Sequence, residues 1–212
     1  MLAGRLSDKM SSELGYYNNV VAELFLFLGG IEMENTKVSL IPLTVDDREQ
    51  FILDNQWAFK YGAMIEFGER DNHFEEDEEI ISRNTIEQCL DAPNNEAYRI
   101  MVDDRKVGGV ILTIDDNTHY NHLELFFVDP KEHGKGIGYA AWCAVEKLHP
   151  ETKLWETCTP YFEKRNIHFY VNKCGFHIVE FYNEFHGDPN MPPEEYDDSG
   201  PDEMFRFQKI MK

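Results

Sequence analysis

The stretch Val128-Asp-Pro-Lys-Glu-His-Gly-Lys-Gly-Ile-Gly138 decides how this chain is read. Before it lies an apolar strand pattern, Leu123-Glu-Leu-Phe-Phe-Val128, and after it a helical pattern, Tyr139-Ala-Ala-Trp-Cys-Ala-Val-Glu-Lys-Leu148. A strand, a glycine-rich turn and a helix start together form an anion site. The first N–H groups of a helix have no partner within it, and the helix dipole favours negative charge there. Gly134, Gly136 and Gly138 let that backbone approach a phosphate with no side chain in the way. The stretch is expected to hold a phosphorylated cofactor.

Upstream, three strands lead into the turn. They are Glu96–Val102, Val107–Ile114 and His122–Val128, joined by polar turns at Asp103-Asp-Arg-Lys106 and Asp115-Asp-Asn117. Their short connections make them antiparallel. Further upstream are a short strand, Val38–Leu43, and a helix start resembling a capping box with Thr44 as N-cap and Asp47 behind it. That helix sets Phe51, Ile52, Asn55 and Phe59 near one face, and a second helix is expected over Thr85–Leu90. Downstream, the strand Lys153–Thr159 lies one helix beyond the strand ending at Val128, so the two are parallel neighbours in a crossover unit. A short helix, Asn166–Cys174, is closed by Gly175, and strands at Phe176–Phe185 and Glu203–Met211 complete the pattern.

The 212 residues suffice for one domain with a core, and 42% apolar content fits a globular chain. No apolar run approaches the ~20 residues that span a bilayer. The four cysteines show neither paired nor zinc spacing, so free thiols in a reducing cytoplasm are expected. No His/Cys/Asp cluster has metal-ligand spacing, and no metal is expected. A net charge of −20 argues against nucleic acid and anionic membrane as partners. Between Lys131 and Lys173, however, seven bases outnumber five acids, an electropositive island where a phosphate would sit.

Residues 1–32 are expected to stand apart from one domain over 33–212. Val20–Leu28 faintly resembles a signal segment, but Glu23 interrupts it and no cleavage site follows. The other readings are a short amphipathic helix, or a mis-assigned start ahead of Met33, with Gly29-Gly30-Ile-Glu translated from a ribosome-binding sequence.

From Val38 to Lys212 the chain resembles the GCN5-related N-acetyltransferase (GNAT) superfamily. That family carries Arg/Gln-x-x-Gly-x-Gly/Ala after a strand ending in Val-x-Pro; Val128-Asp-Pro130 and His133-Gly-Lys-Gly-Ile-Gly138 align with it. His133 stands where the family most often has Arg or Gln. A second family motif, Asn, then Tyr, then Gly-Phe, reads here as Asn166-Ile-His-Phe-Tyr170 and Gly175-Phe176, one residue shorter in its first half. The rival is a dinucleotide fold, but Gly134-x-Gly136-x-Gly138 has the wrong spacing and follows antiparallel strands.

The resemblance implies a mixed α/β fold. Its sheet is mostly antiparallel, flanked by helices, with a central splayed parallel pair of strands. The implied activity is transfer of an acetyl group from acetyl-CoA to a primary amine by direct attack in a ternary complex. The cofactor's arm would pair with backbone of Phe126, Phe127 and Val128, and its pyrophosphate would rest on N–H groups of His133, Gly134, Lys135, Gly136, Ile137, Gly138 and Tyr139. Lys135 would add charge there, or be a solvated lysine. Asn166 would orient the arm or cap its helix. Tyr170 takes the position of the family's general acid, a core tyrosine being the plain alternative. Glu124 is the candidate general base, with Glu156 behind it, and His168 is set aside as a packing or surface residue.

Acidic segments at 66–79 and 186–202 would border the acceptor, with Tyr61, Phe67, Phe74 and Tyr196 as aromatic faces for a cation. A cationic small-molecule or peptide amine is the expected acceptor. A non-catalytic acyl-CoA-binding sensor is the alternative function, and an acyl group other than acetyl stays open. Many members of the family form dimers, and the sequence leaves a homodimer open.

Overall fold

Asp103 and Asp104 both take positive φ, 47° and 63°, in the two-residue turn that suits a twisted hairpin. They join β2 (Asn95–Val102) to β3 (Arg105–Thr113), so Arg105 and Lys106, expected in the turn, belong to the strand. The computed structural model describes residues 37–63, 79–189 and 203–212, all within one unit, Lys37–Lys212. The expectations for residues 1–32, the acidic linker 66–78 and the loop 190–202, including Phe67, Phe74 and Tyr196, lie outside the described residues.

The sheet has seven strands in the order β1-β2-β3-β4-β5-β7-β6. The others are β1 (Val38–Pro42), β4 (Tyr120–Val128), β5 (Leu154–Pro160), β6 (His177–Tyr182) and β7 (Met204–Ile210). Only β4 and β5 run parallel, as the crossover through α3 (Ile137–Leu148) requires. β6 is shorter than the sequence pattern predicts, because Asn183 turns back to pair with His186.

Helices α1 (Arg48–Tyr61) and α2 (Arg83–Asp91) cover one face of the sheet. Phe51, Ile52 and Ile86 pack there on Ile111, Leu125 and Phe127. The capping box expected at Thr44 does not form: Thr44 makes no side-chain cap bond, and Asp47 instead binds Arg99. The realised cap is Ser82, whose hydroxyl accepts from the Thr85 N–H at 3.0 Å.

The opposite face carries α3 and α4 (Lys164–His168). Here the helix expected over Asn166–Cys174 starts earlier and widens into a π-helical turn, Phe169–Cys174, closed by Gly175 at φ 79°. Trp142 of α3 meets Trp155 of β5 edge-on at 5.4 Å and Phe176 at 5.1 Å. Each such buried ring contributes on the order of 2–3 kcal/mol, so α3 is pinned to β5. Its N-terminus is thereby fixed at the end of β4. Among the described residues no helix is long and apolar enough to cross a membrane.

Candidate active site

β4 and β5 separate after three paired positions: Tyr120 with Leu154, Asn121 with Trp155, and His122 with Glu156. At the next position the backbone pairing is replaced by a side chain. Thr157 donates its hydroxyl to the Leu123 carbonyl at 2.9 Å. Beyond it the strands diverge to Val128 and Pro160, leaving an edge of each open. Asn121 fixes the closed end, donating to Thr152 and accepting from the Asp115 N–H.

Alternation along β4 decides which groups face the opening. The Asp129 N–H bonds Val107 of β3, so Phe127 also turns its backbone to β3, while Phe126 and Val128 face the fork. Two expectations change. Phe127 is not available to an arm in the fork, and its ring is buried against Phe51 on the other face. The Val128 carbonyl is already taken by His133 Nε2 at 2.9 Å. His133 thus ties the turn to the strand end through its ring, which also meets Tyr61 edge-on.

The turn itself begins with Pro130–Glu132, where the His133 N–H bonds the Pro130 carbonyl at 3.3 Å and so is not offered to a phosphate. Gly134 and Gly136 take φ of 79° and 77°, the left-handed region that favours glycine. An added Cβ would meet nothing there, so conformation rather than space demands glycine. The first helical bond of α3 runs from Ala140 N–H to Gly136 O. The N–H groups of Ile137, Gly138 and Tyr139 precede it and have no helical partner. Gly138 serves packing, because a Cβ there would lie 3.3 Å from the Phe169 ring, which stacks on Phe126. Lys135 is not a free cation. It pairs with Glu132 at 2.8 Å, and Glu132 also holds Arg105. The Tyr139 side chain is exposed on the helix surface.

Tyr170 sits on the α3 face, its ring between Phe176 and Phe207. Burial pushes its hydroxyl well above the usual tyrosine range, only partly offset by Thr157, so the group stays a neutral donor. Asn166 lies inside α4 rather than at its cap, and its amide reaches Thr159 of β5 at 3.4 Å.

Glu124 lies on the other face, for a reason the sequence pattern hides. Leu125 pairs with Ile111 and Leu123 with Leu112, so Glu124 is an extra residue in β4, a bulge. Simple alternation places it on the side of Phe126, toward α3. The bulge turns it to the α2 side, beside Thr113 at 2.6 Å. The His122 Nδ1 is 3.1 Å away, close enough for charge attraction but not aligned as a hydrogen bond. Burial pushes the Glu124 carboxyl up; His122 and Thr113 outweigh it and hold the group below the usual range. Glu156 is tied through one oxygen, Oε2, to Arg206 and Gln208 of β7, at 2.7 and 2.8 Å, which pairs its charge with a guanidinium. His168 is exposed and bonds Asn172. Thr157, Thr113, Asn95 and His122 escaped the sequence reading, since no spacing marks a hydroxyl at a strand fork or neighbours gathered by a bulge.

A sequence model of the acetyltransferase (GNAT) family matches residues 56–176. An uncharacterised protein of Bacillus subtilis (strain 168), YrkN, is 46% identical over 180 residues, covering 83% of this chain and 95% of its own. Among solved structures, spermidine N-acetyltransferase from Vibrio cholerae in complex with CoA and spermine gives a TM-score of 0.57 at 12% identity, over 83% of this chain and 96% of that one. A Bacillus subtilis acetyltransferase in complex with CoA gives 0.54 at 17% identity, over 83% and 99%. The ribosomal-protein-S18-alanine N-acetyltransferase from Escherichia coli gives 0.56 at 11%, over 82% and 94%. At these identities the structural likeness concerns the fold.

Proposed function

The chain belongs to the acetyltransferase (GNAT) family, and on that footing we propose that it transfers an acetyl group from acetyl-CoA, the family's cosubstrate, to a primary amine of a cationic acceptor, by direct attack in a ternary complex. The observation that carries this reading is the fork between β4 and β5, with a proton donor on one face and a carboxylate on the other. Tyr170 stands on the α3 face and Glu124 on the α2 face. Two reactants meeting in the fork would each find the group they need.

The residues fit the cosubstrate. Acetyl-CoA supplies an activated thioester and brings a pyrophosphate that needs N–H donors. The N–H groups of Ile137, Gly138 and Tyr139, with the turn at Gly134 and Gly136, would hold the pyrophosphate. The fork-facing backbone of Phe126, with the N–H of Val128, would pair with the arm's amides, and Asn166 would steady it from α4, beside Thr159 of β5. Lys135 contributes through Glu132, shaping the turn.

Tyr170 would give its proton, or a hydrogen bond, to the departing sulfur. Its raised proton affinity keeps it protonated throughout the working pH range. The amine arrives as an ammonium with pKa near ~10 and must lose a proton. Glu124 is ionised at neutral pH and can take it. Its lowered affinity makes it a station through which the proton passes to solvent, with His122 beside it. The net charge of −20 suits a cationic acceptor, and the likeness to a spermidine N-acetyltransferase puts polyamines first among candidates.

Thiol release from acetyl-CoA with a panel of amines tests the proposal. Turnover is expected with cationic primary amines, and Tyr170→Phe is expected to lower kcat by about 10²–10⁴-fold with little change in KM. Acetyl-CoA binding without turnover, indifferent to Tyr170→Phe, would instead make the protein an acyl-CoA sensor.

A further inference from the structure

A cavity of about 350 Å³ opens beneath α2, walled by Cys89, Ala92 and Pro93 and floored by Asn95, Thr113 and Glu124. Only Glu124 belongs to the machinery proposed above. The volume lies at the small end of the ~300–1,000 Å³ typical of ligand pockets. The floor gathers acceptor oxygens. Asn95 Nδ2 donates to the Cys89 carbonyl at 2.7 Å, which fixes the amide and turns its oxygen to Thr113. Thr113 Oγ1 then lies 2.5 Å from Asn95 Oδ1 and 2.6 Å from Glu124 Oε1. A hydroxyl has one proton, so it serves one of these oxygens and faces the other with a lone pair. The Thr113 proton serves one of two oxygens, the Glu124 carboxylate has only His122 Nδ1 at 3.1 Å as a nearby charge partner, and among the described residues the lining, which also includes Thr85 and Gln88, holds no Lys or Arg.

A primary ammonium is the complement: one positive charge, three donors and no acceptor. A carboxylate ligand would set oxygen against oxygen, and a hydroxyl would bring one donor and no charge. The walls of Ala92, Pro93 and the Cys89 side chain suit an unbranched methylene stem.

The cavity's place in the sheet says which ammonium it takes. Its floor comes from β2, β3 and β4, so it is centred over β3, whereas the fork lies between β4 and β5. Strands are about 4.8 Å apart, so across the sheet the two sites are one and a half spacings apart, roughly 7 Å, which is the least span an acceptor must bridge. Glu124 stands between them. We propose that the cavity anchors a second, non-reacting ammonium of the acceptor, and that the acceptor is a slender diamine whose nitrogens are at least about 7 Å apart. This rests on the acetyltransferase reading for what happens in the fork, but not for binding in the cavity.

The test uses the full chain and the probes 1,5-diaminopentane, 1-aminopentane and 1,5-pentanediol. Alkylation of Cys89 is followed by peptide mapping in the absence of acetyl-CoA. Both amines are expected to slow it and the diol to leave it unchanged. In turnover, Thr113→Val is expected to raise KM for the diamine on the order of tenfold more than for 1-aminopentane, the equivalent of one charge-assisted hydrogen bond, the loss of its bond to Glu124 being common to both substrates, and the difference is expected to be rescued by Thr113→Ser. If neither amine protects Cys89 and Thr113→Val treats both substrates alike, the anchor is wrong even though turnover persists. If the diamine protects Cys89 but no amine is ever acetylated, the anchor stands and the acetyltransferase reading falls.

Discussion

The hydroxyl of Thr157 and the carbonyl of Leu123, 2.9 Å apart, form the last link between β4 and β5 before the strands part. Thr157 is buried, so the link is not exchangeable with water. It also sits against Tyr170, which makes one side chain responsible for both the shape of the fork and the setting of the Tyr170 hydroxyl.

Thr157→Val removes that donor while keeping the volume. The Leu123 carbonyl is then buried without its partner, which costs about 1–3 kcal/mol. A lower midpoint in urea is expected, together with weaker CoA binding as the fork loosens. An unchanged midpoint would mean the strands part without help from this bond.

The three glycines of the turn should separate into two kinds. Gly136→Ala forces a side chain into the left-handed region, at a cost of roughly 1–2 kcal/mol, and CoA affinity is expected to fall accordingly, about tenfold. Gly138→Ala keeps a helical backbone and asks only that Phe169 shift by a few tenths of an ångström. It should leave stability unchanged or slightly raised. Titration calorimetry with CoA on both variants decides the matter; equal losses would refute the distinction.

Glu180 gives a pH signature. The His186 ring and the Arg206 guanidinium beside it hold its carboxyl at about 2, against an ordinary 4.5. A carboxyl whose folded pKa lies below its unfolded one contributes stability above the unfolded value and loses it as pH falls through the folded one. The contribution is therefore complete above about 4.5 and fades toward about 2. Urea midpoints measured across that window should fall less steeply for Glu180→Gln than for the parent chain. Parallel slopes would show that the carboxyl is not depressed.

Asn55 is fully buried in α1, and among the described residues neither its amide nitrogen nor its oxygen has a partner. Unpaired buried groups cost about 1–3 kcal/mol each, so Asn55→Leu is expected to raise the thermal midpoint. A fall would show that the amide is satisfied in solution.

Much of this architecture was legible because it rests on local signals. The run from Val128 to Gly138 announced a strand, a turn and a helix, and the four-residue gap at Asp103 announced a hairpin. What stayed hidden was non-local. Thr44 looks fit to cap the helix that follows it, yet it makes no cap bond, and Asp47 is drawn instead to Arg99, 52 residues away. Lys135 looked like a phosphate ligand until the fold brought Glu132 and Arg105 beside it. The side on which Glu124 stands depended on a residue of β4 that has no opposite number in β3, which period-two reading cannot count.

That unmatched residue has a consequence for how such a site can change over time. Downstream of it, β4 is indexed to the glycine turn; upstream, to Asn121 and the closed end of the fork. The bulge is a joint between two independent registers. Under the proposed function, an insertion or deletion absorbed there would exchange the residue presented to the acceptor and leave the glycine turn in place. A new amine could therefore be adopted by sliding one half of a strand, with no rebuilding of the half that handles the acyl donor.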